Sequence, residues 1–132
     1  MIDGGLRRIF REKFPDWQWT AIESGAVSPG TPDVEYCAPD GISGWIEYKK
    51  SDHWKVYFQR GQVPWLHKRA KLGGRVFIAI RRKQDELFLI SGDRVLDIEE
   101  QGLRGFEPVC KNGIRNWNWK IVESILLGKE NC

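Results

Sequence analysis

The sequence predicts an α/β fold, a central mixed β-sheet flanked by helices, and three observations carry that expectation. Segments with helical spacing and segments with two-residue alternation succeed one another along the chain. Arg75 to Arg81 is a near-continuous apolar run, as expected of a central strand covered on both faces. The last helical segment carries an apolar stripe, Trp119, Val122, Ile125 and Leu126, that needs a surface to pack on. A length of 132 residues suits one domain, 1–132, with a real core.

Taken in order, residues 3–14 place Leu6, Ile9 and Phe10 on one helical face among Arg7, Arg8, Arg11 and Glu12. Asp3 is the expected N-cap and Pro15 ends the helix. Trp17 to Glu23 alternates as a strand and leads through Ser24-Gly25 into a loop of small residues, Ala26 to Thr31. Asp33 to Cys37 is a strand with Asp33, Glu35 and Cys37 on one face and Val34 and Tyr36 on the other. Ala38-Pro39-Asp40-Gly41 is a turn, and Gly44 to Lys49 is the next strand, with Trp45 on the face of Glu47.

Ser51 to Phe58 reads as a polar loop with three aromatic residues, Trp54, Tyr57 and Phe58. They either stack on an unpaired base or fold back onto the core. His53, a lone histidine on this loop, is assigned no role. Gln59 to Leu72 is a helix starting near Gly61 or Gln62, with Pro64 in its first turn and Gly73-Gly74 at its end. Lys83-Gln84-Asp85 is a turn, Glu86 to Ile90 an adjacent strand, and Gly92 to about Glu100 a short helix. Residues 101–116 read as irregular. Asn116 or Asn118 caps the final helix, which runs through Leu127.

Composition narrows the class. The chain is 41% hydrophobic and 30% charged, with seven Trp, as in a globular protein. It has no apolar run of about 18 residues, so no membrane span is expected, and the first 14 residues do not read as a secretion signal. Three widely spaced cysteines, Cys37, Cys110 and Cys132, show neither a disulfide framework nor zinc spacing. An intracellular, cytoplasmic setting fits.

The chemistry concentrates in Gly30-Thr31-Pro32-Asp33-Val34 and Gly44-Trp45-Ile46-Glu47-Tyr48-Lys49. Residues two apart on a strand share a face, so Glu47 and Lys49 lie together. Pairing the two strands as a hairpin brings Asp33 towards Glu47. Two adjacent carboxylates repel unless a cation sits between them, and such oxygen ligands suit Mg²⁺ or Mn²⁺. That is the equipment of metal-assisted phosphodiester hydrolysis.

Charge points the same way. From Lys49 to Lys83 there are 11 Lys or Arg against one acid, Asp52, a local charge of +10 in a chain of net +3. Lys50, Lys55, Arg60, Lys68, Arg69 and Lys71 are the candidate DNA-phosphate contacts. The bland alternative is a solvated helix face.

Pro32-Asp33 followed by Glu47-Tyr48-Lys49 resembles the PD-(D/E)XK nuclease signature. The order from Glu23 to Ile80 is similar to the VRR-NUC and archaeal-type Holliday junction resolvase branches of that superfamily. It comprises a Gly-rich approach, a strand with ExK, a basic helix bearing glutamine, Gly-Gly and another strand. The resemblance covers a little under half the chain.

It implies a restriction-endonuclease-like core and a Mg²⁺-dependent, structure-selective DNA endonuclease acting on branched or junction DNA, with Mn²⁺ as a substitute metal. Asp33, Glu47 and the backbone carbonyl of Tyr48 would hold the metal, and Lys49 would orient water or offset phosphoryl charge. Gln62 would lie beside the site, holding the phosphate or the attacking water. A resolvase cuts two symmetric strands, so a C₂ homodimer follows, with the Trp-rich surface as interface or simply as core.

In nucleases of this type a glutamate on the first helix often completes the site. Glu12 is the one available, and it sits late in the helix, where a solvated surface acid is the alternative. Glu23 is the preferred third acid because the loop can return it towards Asp33; a strand-end surface charge is its alternative. Small size and a self-contained site suit a stand-alone enzyme of phage or mobile-element type.

Two other classes compete. A DNA-binding module with an inactive nuclease-like site would bind without cutting. An interaction protein with a surface ExK pair would show no salt-dependent DNA affinity.

Overall fold

A computed structural model describes residues 2–23 and 29–129. Its elements are α1 (Leu6–Lys13), β1 (Gln18–Ala21), β2 (Val34–Cys37), β3 (Ser43–Ser51), α2 (Gln62–Lys71), β4 (Val76–Arg82), β5 (Glu86–Ser91), α3 (Val95–Gln101) and α4 (Trp119–Leu127). The strands form one sheet in the order β1-β2-β3-β4-β5. Neighbours are antiparallel except β3 and β4, which run parallel with Glu47 opposite Ile78. A parallel pair needs a crossover, and α2 is that crossover. The fold is thus α/β, with a mixed sheet between helices.

Alternation along the strands divides the core. Val34, Tyr36, Ile46, Tyr48, Phe77, Ala79, Leu87 and Leu89 pack with Leu6 and Phe10 of α1 and Val122 and Leu126 of α4. Val76, Ile78, Ile80, Phe88 and Ile90 pack on the other side with Leu66 of α2 and Val95 and Ile98 of α3. Glu47 and Lys49 belong to the second face, at its boundary with the uncovered β1–β2 end.

All seven tryptophans are built into these two cores. Trp17, Trp19, Trp117 and Trp119 join the first, and Trp45, Trp54 and Trp65 the second. Trp17 stacks on Phe14 at 4.6 Å and on Trp19 at 5.7 Å. Trp17 and Trp117 are buried, and the other five are partly buried against the cores, so each contributes to packing.

Several boundaries differ from expectation. The N-cap of α1 is Gly5, at φ 79°, and Asp3 acts two residues earlier, its Oδ1 accepting the Gly5 N–H at 2.9 Å. Strand β1 starts only at Gln18 because Trp17 turns inward to pack. Residues 101–116 are more ordered than their glycines suggest. They include 3₁₀ turns at Gly102–Gly105 and Ile114–Asn116 and a bridge from Cys110 to Leu87 that shields the edge of β5. Asn118 caps α4, accepting from the Lys120 N–H at 3.1 Å. Of the expected small-residue loop, positions 24–28 lie outside the described residues, as does Cys132.

Candidate functional site

Strand register assembles the site. Val34 pairs with Ile46 in the antiparallel β2–β3 ladder, so one step beyond its end Asp33 stands level with Glu47. There the Tyr48 N–H donates to Asp33 Oδ2 at 2.8 Å. In a strand the N–H and C=O of one residue point to the same side. The Tyr48 carbonyl therefore opens on the Asp33 side, while its ring packs into the opposite core against Phe10 at 5.3 Å.

Two glycines bring α2 to this point. A Cβ on Gly30 would lie 2.0 Å from the Gly61 carbonyl oxygen, and one on Gly61 would lie 2.9 Å from that of Pro29. Both have positive φ, 92° and 87°, so only glycine meets the backbone contact and the conformation together. The approach to Asp33 thereby presses on the first turn of α2, where Gln62 is buried.

Gln62 links the charged groups. Its Nε2 donates to Glu47 Oε2 at 2.9 Å, and its Oε1 accepts from Lys49 Nζ at 2.7 Å and from the Gln59 N–H at 2.7 Å. Lys49 Nζ also stands 3.7 Å from Glu47 Oε2 and 5.0 Å over the Phe58 ring. Both ends of the Gln62 amide are engaged within the protein, so its contribution is to position Glu47 and Lys49.

Glu47 is 3% exposed, and its Oε1 is buried without a hydrogen-bond partner. Burial, then repulsion from Asp33, pushes its carboxyl up to about 8, against the pull of Lys49 and Gln62. Burial likewise lowers the Lys49 ammonium from its usual range, opposed by Glu47 and Asp33. A bare buried oxygen beside a second carboxylate is a site short of positive charge. Among the described residues no cluster of three or more acidic, His or Cys side chains gathers. Magnesium needs only one or two carboxylates because it keeps several waters, so Asp33, Glu47 and the Tyr48 carbonyl fit it.

The other expected residues separate. Glu23 follows β1, is exposed and makes no hydrogen bond or ion pair among the described residues. Glu12 is exposed on α1 and faces Arg8 at 3.8 Å. Lys50 pairs with Asp52 at 3.0 Å. The Lys55 ammonium lies over the ring of Tyr57 at 5.0 Å, and Tyr57 is 73% exposed. Trp54 and Phe58 fold onto the core, and Trp54 lies under the guanidinium groups of Arg82 and Arg104 at 3.7 and 5.0 Å.

Arg60 is exposed just before α2, beside the site. Lys68 and Lys71 are exposed at the far end of α2, about 9 Å and about 14 Å along its axis from Gln62. Arg69 between them is stacked on Trp65 and Trp45 at 4.4 and 5.3 Å. Together Trp65, Lys68, Arg69 and Leu72 line a surface recess of about 280 Å³.

Sequence reasoning missed Arg7. Its Nη2 stands 3.6 Å from Asp33 Oδ1. The helical spacing of α1 sets Arg7 beside the inward stripe, but nothing local connects it to Asp33.

No protein-family model matches this chain. No curated protein matches it either. Among solved structures, the chain is similar to Hjc, a Holliday junction resolvase from the archaeal hyperthermophile Archaeoglobus fulgidus. The TM-score is 0.47 and the identity 14%, over 66% of this chain and 74% of that one.

Proposed function

We propose that residues 1–132 form a single nuclease domain that hydrolyses DNA phosphodiester bonds with Mg²⁺, or with Mn²⁺ in its place. On this reading it acts inside cells and selects branched DNA, four-way junctions above all, by structure and not by sequence. The observation that carries the reading is the pairing of buried Glu47, its Oε1 unpartnered, with Asp33 and Lys49 on one face of the sheet, centred on its middle strand. Such an arrangement is costly to bury and gains from a divalent cation and an anionic substrate.

When bound, magnesium supplies a water of lowered pKa and counter-charge for the phosphoryl oxygens. The chain supplies the rest. The Tyr48 N–H fixes Asp33, and Gln62 fixes Glu47 and Lys49 relative to one another. Lys49 Nζ keeps N–H bonds for the attacking water or a phosphoryl oxygen, where a fixed cation is worth most as charge develops. Lys55, Arg60, Lys68 and Lys71 offer backbone-phosphate contacts, which give affinity without reading bases. Symmetric cutting of a junction requires two such sites, hence a C₂ homodimer.

The competing reading is a DNA-binding module with an inactive site, favoured by the absence of a third acid beside Asp33 and Glu47 among the described residues. One experiment separates the two. Labelled four-way junction, flap, duplex and single-stranded DNA are incubated with wild type and Glu47→Gln in Mg²⁺, Mn²⁺ or EDTA. Metal-dependent cutting lost in the variant is expected, with paired symmetric nicks in the junction. Binding without any cutting would select the inactive module. Neither binding nor cutting would sink both.

A further inference from the structure

The two carboxylates of the site are not equally open. Glu47 Oε2 is engaged by Gln62 and Lys49 while Oε1 has no partner. Asp33 Oδ2 is engaged by the Tyr48 N–H, and the remaining oxygen, Oδ1, faces a cation already, the Arg7 guanidinium at 3.6 Å. Of the two oxygens left for a metal, one is bare and the other is occupied by an arginine.

Arg7 is docked incompletely. At 3.6 Å its Nη2 is longer than a good hydrogen bond to Oδ1, and its Nε is buried without a partner. Its side chain is 42% exposed, so it has room to turn outwards. It also lines, with Asp3, Gly5, Arg8 and Arg11, a surface recess of about 200 Å³ on α1. That recess offers three guanidinium groups against one carboxylate, a setting suited to a phosphate that accepts from a planar fork.

We propose that Arg7 is the counter-cation of Asp33 in the metal-free protein, and that it moves to a DNA phosphate when a divalent metal takes its place. The inference rests on the metal-dependent nuclease reading above. A guanidinium and a divalent ion on one carboxylate oxygen repel, so metal and Arg7 exclude each other at Asp33. DNA that draws Arg7 away tightens metal binding, and by thermodynamic reciprocity the metal tightens DNA binding by the same factor. The protein without DNA therefore holds its metal weakly, and the complete site forms on the substrate.

The test is Mn²⁺ titration calorimetry without DNA on wild type, Arg7→Met, Arg7→Lys and Asp33→Asn. It is paired with fluorescence anisotropy of labelled junction DNA in EDTA. Arg7→Met keeps the apolar stem and removes the charge. It is expected to bind Mn²⁺ about threefold to tenfold tighter than wild type and metal-free DNA more weakly, with Arg7→Lys close to wild type in both.

An Arg7→Met protein that binds Mn²⁺ no more tightly than wild type would overturn the coupling. If Asp33→Asn still abolished binding, the metal site itself would stand. Absence of Mn²⁺ binding to wild type and Arg7→Met alike would remove the metal site and the coupling together. Thermal unfolding of Arg7→Met and a second variant, Arg7→Gln, guards against a folding defect. If neither folds, Arg7 is a structural brace and the proposal fails.

Discussion

The Gln62 side chain stands between Glu47 and Lys49, giving its N–H to Glu47 Oε2 at 2.9 Å and taking one from Lys49 Nζ at 2.7 Å. One neutral amide thus satisfies a buried carboxyl group and a partly buried ammonium and still accepts from the Gln59 backbone. Removing it leaves all three groups short of a partner. Gln62→Ala is expected to cost about 1–3 kcal/mol of stability, measured by urea denaturation. Cleavage should fall about tenfold to hundredfold, as for outer-shell partners of metal ligands.

Glu47 makes stability depend on pH. Its carboxyl is raised from 4.5 to about 8 in the folded protein, so across that window the folded state holds a proton the unfolded state has lost. Metal-free stability is then greatest below pH 4.5, as far as this group is concerned, and declines as pH rises to about 8. Glu47→Gln should flatten the decline, and Mg²⁺ should offset it in wild type only. Thermal melts from pH 5 to pH 8.5, with EDTA or Mg²⁺, check all three expectations. A wild-type profile as flat as that of the variant would contradict the raised carboxyl.

Lys49 should separate binding from chemistry. Lys49→Met removes the cation that lowers the Glu47 carboxyl, which raises that group further. The expected result is a cleavage rate about 10²- to 10⁴-fold lower with DNA affinity nearly intact. Single-turnover cleavage alongside anisotropy reads both quantities. A variant that loses affinity and keeps its rate would reassign Lys49 to DNA binding.

The exposed and the stacked cations in the last turn of α2 should behave differently on DNA. Lys68 and Lys71 are exposed, whereas Arg69 is stacked on Trp65 and Trp45. Replacing Lys68 and Lys71 by Ala should weaken binding and reduce the slope of log affinity against log salt by about 2, with single-turnover chemistry unchanged at saturation. Arg69→Ala should act mainly on stability, since it uncovers two indole rings. Salt titrations and urea denaturation of both variants distinguish these effects.

Period-two alternation was sufficient to put Val34 and Tyr36 on one face and Asp33 on the other, and to bring Glu47 and Lys49 together. Those side chains follow from backbone geometry alone. Gln62 entered only through the family resemblance, as a group holding phosphate or water, whereas its amide is engaged by Glu47, Lys49 and the Gln59 N–H. The Asp3 cap was misread because Asp3 bonds the N–H of Gly5, itself the first residue before the helix. Trp17 looked like strand because its alternation continues that of β1, but stacking on Phe14 draws it inward. Arg7 was illegible for a different reason. Its meeting with Asp33 depends on how α1 lies across the sheet, and no spacing within either segment encodes that packing.

The Gly30–Gly61 contact carries a consequence for timing. It joins two backbones separated by all of β2 and β3, and the site needs it closed. Gly30→Ala, whose Cβ would fall 2.0 Å from the Gly61 oxygen, should lose cleavage and stability together. In a nascent polypeptide the residues around Asp33, Glu47 and Lys49 leave the ribosome well before β4, which supplies the strand beside β3. Until that strand arrives and the loop closes, the three charges are solvated and separate. On the nuclease reading, a chain whose β4 has not yet emerged carries the three charges but not the site, and cutting would begin only once that strand is paired.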